Sequence, residues 1–303
     1  MTIINDKKST KILLLTLRWN IIWDSVRELA LVEKILEKHK DATIVYPCGS
    51  TLFLLFQNIK KFEPLLITEF DSLTNPKYNI LKKWLFLIKW FLSICIKVKK
   101  INTVYYTWQE YIIRKLLAYI LSVIHLTKLY HRDLSMVIWT KYTATLQFTN
   151  EELVTAKKNI IKNWKKNIAL NIESREPARC WAKSNYIKLI KLLENDYNVY
   201  LLWMDEKYNE EITNNCNVIN FINKLSIRET ALLIKSCDLY LWNDSWIAHI
   251  ATSVLTDLLM IINKKKSIFI DSIFYEKEKS KVILLEKPSV NMVFNEIKFN
   301  HFT

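Results

Sequence analysis

The stretch that most constrains this chain covers residues 238–255. It opens as an apolar run, Asp238-Leu-Tyr-Leu241, breaks at Asn243-Asp244-Ser245, and resumes as an apolar, helix-like run from Ile247 to Leu255. A strand that ends in small polar residues and opens a helix leaves free backbone N–H groups, and the positive end of a helix dipole, at the strand's carboxyl edge. That arrangement is a seat for a phosphate. An ordinary strand–turn–helix with Ser245 as N-cap gives the same pattern, so spacing alone leaves both readings open.

The same alternation of short apolar runs and amphipathic stretches recurs along the chain. Residues 11–16, 42–46, 64–68, 101–106, 166–172, 198–202, 238–242 and 282–285 read as strands, most of them apolar enough to be buried on both faces of a parallel sheet. Helical stretches fall at 25–38, 51–61, 77–98, 108–125, 184–194, 227–236 and 289–297, with Asp24-Ser25 opening the first. Thr149-Asn-Glu-Glu152 and Ser226-Ile-Arg-Glu229 are capping boxes. The first starts a basic helix with Leu153, Ala156, Ile160 and Trp164 on one face, taken as the connector between domains. The expectation is an α/β protein of two Rossmann-like domains, 1–148 and 149–303, the last helix packing back on the first domain.

The segment 84–97 is very apolar, yet it is too short to span a bilayer and is interrupted by Lys89. Two readings stand: a core-facing helix of the first domain, or, with lysines at 82, 83, 97, 99 and 100, a stretch over 82–100 lying on an anionic membrane surface. A formal net charge of +14 points to an anionic partner. Beyond that charge nothing suggests nucleic acid, since no recognised nucleic-acid-binding motif is present. Five cysteines without C-x-x-C spacing suggest a reduced, cytoplasmic setting, and the polar first ten residues do not read as a signal peptide. His39, His125, His131 and His301 form no ligand set, so no metal is expected.

The run Asn243-Asp-Ser-Trp-Ile-Ala-His-Ile-Ala251 resembles the Asp-Ser-Gly-x-x-His-x-Ala signature of glycosyltransferase family 9, the lipopolysaccharide heptosyltransferase family, with Trp246 in the glycine place. Three further stretches fit in order. Trp23-Asp24 matches the family's Gly-Asp pair at the first helix. The loop Glu173-Ser-Arg-Glu-Pro-Ala-Arg-Cys-Trp181 is similar to a Ser/Thr loop ending Lys-x-Trp, with Arg179 in the Lys place. Trp203-Met-Asp-Glu206 follows a strand, near a family glutamate.

The resemblance implies the GT-B fold, two Rossmann-like domains facing across a cleft, the first taking the acceptor and the second the nucleotide-sugar donor. It implies metal-independent, cofactor-free transfer of a heptose-like sugar, with inversion, to a lipopolysaccharide or other cell-surface saccharide or glycolipid. Such a protein would be cytoplasmic or peripheral at the inner membrane face. Asp24 would be the catalytic base, although an Asp after a loop also serves as a plain N-cap. Ser174, Arg179, Glu206, Asp244, Ser245, Trp246 and His249 would bind the donor, Arg179 through a guanidinium suited to phosphate. Arg179 also reads as a solvated loop charge, and His249 as a packed helix histidine.

One departure runs through the whole resemblance. A chain this long carries roughly 20 glycines at ordinary usage; this one has a single glycine, Gly49, and 11 tryptophans. Trp19 and Trp23 in the first loop, Trp203 and Trp246 all stand at usual glycine places, with Trp242 beside the last. An indole blocks close backbone approach and resists positive φ, at a cost on the order of 1–3 kcal/mol per site. Two hypotheses cover this pattern. Either many of these tryptophans are UGA codons that the source organism reads as glycine, or the chain is a degenerate, non-catalytic nucleotide- or glycan-binding homologue. Trp181 sits where the family itself has tryptophan.

Overall fold

A computed structural model describes residues 10–15, 22–68, 80–98, 101–106, 119–120, 128–131, 145–172, 177–202, 206–243, 248–263 and 281–299. The chain divides into two compact units, residues 1–147 and 148–303.

The first unit is built on an all-parallel sheet of five strands. These are β1 (Thr10–Leu15), β2 (Ala42–Cys48), β3 (Phe62–Leu66), β4 (Thr103–Tyr106) and β5 (Lys128–His131), in the order β3-β2-β1-β4-β5. Strand alternation sends Leu13, Leu15, Val45 and Val104 to one face, where Trp90, Ile94 and Val98 cover them. On another side of the core, Tyr46, Phe56 and Phe62 form an aromatic trio with ring centroids 5.3–5.7 Å apart. The helix Ile80–Lys97 thus answers the core-facing reading of the apolar 84–97 segment. Its other side remains outward: Leu85, Ile88, Leu92 and Ile96 are all more than half exposed.

Three local expectations change here. The helix expected over 51–61 ends at Leu55, and Asn58 follows in the left-handed region at φ 66°, a conformation that asparagine tolerates better than most residues. The helix that starts the α1 position spans Ile22–Lys38, so Asp24 lies inside its first turn and not at a cap preceding it. The strand β5 was not expected; its four residues, Lys-Leu-Tyr-His, carry too short a pattern to read. Most of the helix expected over 108–125 lies outside the described residues.

The second unit holds a six-stranded parallel sheet: β6 (Lys166–Asn171), β7 (Tyr197–Leu201), β8 (Ile219–Asn220), β9 (Leu239–Asn243), β10 (Leu258–Ile262) and β11 (Val282–Glu286), ordered β11-β10-β9-β6-β7-β8. Ile168, Leu170, Leu239, Leu241, Leu259 and Ile261 share a core with Tyr186, Leu189 and Leu193 of the helix Lys183–Leu193. Val293 and Ile297 of the last helix, Val290–Phe299, are buried in that same core. The helix is thus part of the second unit's core.

Both capping boxes form. Thr149 Oγ1 accepts from Glu152 N–H while Glu152 returns to Thr149 N–H at 2.7 Å, and Ser226 and Glu229 repeat the exchange. Glu152 also takes Arg228 in a two-pronged contact, Nε to Oε1 at 2.6 Å and Nη2 to Oε2 at 3.0 Å, and the guanidinium lies over the Phe148 ring. This joins the helix Asn150–Lys157 to the helix Ile227–Lys235. The first of these stops at Lys157 instead of continuing to Trp164, which is 77% exposed. A few residues on, Ile161 N–H donates to the Tyr200 hydroxyl at 2.8 Å, a partner on β7 that lies outside any helix.

The shortage of glycine leaves its mark on helix ends. The helix Ala248–Ser253 closes with Leu255 N–H to Thr252 C=O and Thr256 N–H to Ala251 C=O, both 3.1 Å, around Leu255 at φ 64°. This is a Schellman ending at a position where glycine is the usual residue.

The Arg228 pair holds the Glu152 carboxyl down at about 2, against an ordinary 4.5, the hydrogen bond from the guanidinium being the largest cause. A depressed carboxyl pKa supplies stability in full above about pH 4.5, and loses it as pH falls toward 2. E152Q keeps a side chain able to serve the capping box but removes the charge pair. It is expected to cost the second unit roughly 2 kcal/mol at pH 7 and to flatten the acid side of its stability curve, as read by urea unfolding at stepped pH.

Candidate functional site

In open parallel sheets a ligand binds outside the carboxyl ends of the strands, where the strand order reverses. The reversal in the first unit lies between β1 and β4, and in the second between β6 and β9. Asp24 sits in the first turn of the helix that follows β1, one of the two strands that flank this reversal. Its side chain lies outside the described residues.

The second unit's reversal point is held by one buried side chain. Asn243, the last residue of β9, is fully buried and in register with Leu239 and Leu241 on the core side of the strand. Its Oδ1 accepts from Trp181 N–H at 3.0 Å and from the Tyr186 hydroxyl at 2.8 Å, and its Nδ2 donates to Ile172 C=O at 2.6 Å. Two partners are obligate in their roles, a backbone donor on one side and a backbone acceptor on the other, so the amide orientation follows from them. Three bonds offset the cost of burying a carboxamide, which unpaired runs to roughly 2–7 kcal/mol.

The turn that Asn243 grips is fixed from further sides. Trp181 donates its ring N–H to Pro288 C=O at 3.1 Å and meets Tyr186 edge to face with centroids 5.0 Å apart. Asn263, just beyond β10, donates to Cys180 C=O at 2.9 Å. The end of β9 and the residues just beyond β10 and β11 thereby converge on Cys180 and Trp181, which follow the short 3-10 helix Pro177–Arg179.

Of the residues expected to bind the donor, Arg179 ends that short helix and is half-buried, two residues before the anchored Trp181. Glu206 opens the helix Glu206–Asn215 after β7, at the same sheet edge, where an acidic residue suits the helix dipole. This helix had not been expected, the segment having read only as a turn. His249 lies in the helix Ala248–Ser253 and is 3% exposed, its carbonyl accepting from the Thr252 hydroxyl at 3.2 Å. Ser174, Asp244, Ser245 and Trp246 lie outside the described residues, as do Trp19 and Trp203. Trp23 falls within the first helix, with its side chain outside them. Trp242 is buried, its ring stacked on Tyr240 at 6.3 Å.

Cys237 lies at the opposite edge of the sheet, just before β9. Burial, with the Asp238 charge adding to it, pushes the Cys237 thiol far above its ordinary value, and such a thiol is inert. The residue that sequence reading passed over is Asn243. A polar residue continuing the inward alternation of Leu239 and Leu241 is the signal that would have found it.

Two parallel Rossmann-like sheets with this strand order define a GT-B class protein, and comparison of whole chains agrees. The Escherichia coli ADP-heptose LPS heptosyltransferase II matches over 95% of this chain and 98% of its own, at 15% identity and a TM-score of 0.71. A family 9 glycosyl transferase from Veillonella parvula matches over 97% and 92%, at 15% identity and 0.69. The E. coli heptosyltransferase WaaC, solved with ADP, matches over 96% and 100%, at 10% identity and 0.69. At these identities the likeness establishes the fold. Residues 119–292, more than half of the chain, match glycosyltransferase family 9 (heptosyltransferase), and the chain belongs to that family. No curated protein sequence matches it. The resemblance read from the 243–251 run and the expected GT-B fold are both borne out.

Proposed function

We propose that the protein is an inverting, metal-independent glycosyltransferase that moves a heptose-like sugar from a nucleotide-diphosphate donor to a lipopolysaccharide or other cell-surface saccharide acceptor. The observation that carries this is family membership; it is supported by Asp24 lying in the first turn of the helix after β1 and by the Asn243–Trp181 bond beside Arg179. In this reading the first unit takes the acceptor and the second the donor. WaaC, solved with ADP, supports a nucleotide as the donor's handle.

Chemically, transfer needs a base for the acceptor hydroxyl and fixed positive groups for the departing diphosphate. Asp24 takes the proton. Ser174, Arg179, Asp244, Ser245, residue 246 and His249 hold the diphosphate and sugar, and Glu206 the ribose. No step calls for a cofactor.

A second reading, a non-catalytic nucleotide- or glycan-binding homologue, is favoured by one observation: tryptophan at positions 19, 23, 203 and 246. We take these as glycine in the native protein, through reassigned UGA codons. A peripheral site at the inner face of a membrane is part of the leading reading, supported by the outward row Leu85, Ile88, Leu92 and Ile96 beside exposed Lys89, in a stretch flanked by further lysines. No helix among the described residues is long and apolar enough to cross a membrane.

Three measurements test these statements. With ADP-, GDP- and UDP-sugars as donors, D24A is expected to lose at least about a thousandfold in turnover while donor affinity stays within a few-fold; unchanged turnover removes Asp24 from the chemistry. Tandem mass spectra of peptides spanning 19, 23, 203 and 246 are expected to read glycine, and UGG codons there overturn the recoding. Anionic vesicles are expected to capture the protein and to release it when Leu85, Ile88, Leu92 and Ile96 are all changed to Ser; equal capture of both removes the helix Ile80–Lys97 as the contact.

A further inference from the structure

The strands β6 and β9 lie side by side in the second sheet. At their carboxyl ends the Asn243 carboxamide donates to Ile172 C=O. Through its oxygen the same amide holds the backbone of Trp181, hence the turn bearing Arg179, and the first turns of the helix Lys183–Leu193 through Tyr186. Three chain stretches, at 172, 181–186 and 243, therefore take their spacing from a single planar group. An aliphatic residue of that size would fill the volume equally well, in line with Leu239 and Leu241, and would avoid the desolvation of an amide. Packing alone does not call for asparagine here.

We propose that Asn243 is a positioning residue for donor binding: by fixing the 172 and 243 stems to each other and to the 179–181 turn, it sets the separation of the groups that grip the diphosphate. This rests on the reading of the second unit as the donor half. Asn243 does not itself touch the donor. It acts through the turn bearing Arg179, so its loss is felt as weaker nucleotide binding.

The substitution that isolates this role is N243D. As a carboxylate, the side chain keeps its acceptors for Trp181 and Tyr186 but turns a lone pair toward Ile172 C=O, which drives the stems apart. As a neutral acid, it restores the donor, and the buried, apolar setting favours that form. The full-length chain is titrated with ADP, GDP and UDP at pH 8 and pH 5.5, with thermal melts at both. Wild type is expected to bind one of these with little change between the two pH values. N243D is expected to bind it about tenfold or more weakly at pH 8 and to recover most of that at pH 5.5, a dependence that a purely space-filling role would not produce. Y186F, which removes one bond to the amide and leaves the ring contact with Trp181, is expected to weaken binding about threefold without pH dependence. N243D matching wild type at both pH values overturns the inference. Should N243D fail to fold, Y186F decides it: unchanged nucleotide affinity overturns it and a threefold loss sustains it. Wild type that binds none of the three nucleotides instead overturns the donor reading on which the inference stands.

Discussion

A carboxamide sealed at the end of β9 fixes the geometry of the second unit. Parallel strands leave their carboxyl ends as a row of departing chains, each free to splay, and the sheet's hydrogen bonds stop just short of them. In this protein Asn243 ties the chains that leave β6 and β9, and Trp181 and Asn263 extend the tie to those beyond β11 and β10. The opposite edge is closed differently, by a mesh of short polar contacts in which Asn167 N–H meets Asp238 at 2.6 Å and Asn198 bonds to both Asn163 and Asn167. One edge is filled with amides that face one another. The other is tied by two carboxamides, Asn243 and Asn263, that reach backbone carbonyls.

What the sequence shows directly is whatever depends on near neighbours. The capping boxes at Thr149 and Ser226 could be read because both halves of each motif lie three residues apart. The apolar runs of β1, β6 and β9 could be read because a buried parallel strand must be apolar on both faces. Features set by distant partners were hidden. The end of the helix at Lys157 is followed by a bond to the Tyr200 hydroxyl, 39 residues from Ile161. The Arg228–Glu152 pair spans 76 residues, and neither residue marks the other in the sequence. Strand β8 is two residues long and the Glu206–Asn215 helix is too polar to stand out by periodicity. The candidate site follows the same rule. Its members were found by resemblance to a family pattern, whereas Asn243, a residue within that very run, stayed hidden because its partners lie 57 to 71 residues away.

Family membership and the fold constrain the chemistry differently. The fold puts ligand-bearing loops at the reversal points of both sheets, but many activities share that architecture. Membership in family 9 narrows the reaction class, while the sugar, the base and the acceptor are set by loop shapes. The 11 tryptophans are not of one kind: Trp90, Trp181 and Trp242 are core residues with packed rings, and Trp164 projects to solvent. A recoded genome would therefore account for a subset of them and leave the others as true indoles.

Leu255 carries that point further. A UGA codon read as glycine accounts for tryptophan positions and does not reach leucine or lysine, so the left-handed backbone at Leu255 stands apart from it, as do those of Lys61 and Lys287 at φ 59° and 43°. Each such residue forgoes about 1 kcal/mol that a glycine would not, a noticeable fraction of the 5–15 kcal/mol margin of an ordinary domain. Glycine at Lys61, Leu255 or Lys287 would relieve that cost at its corner.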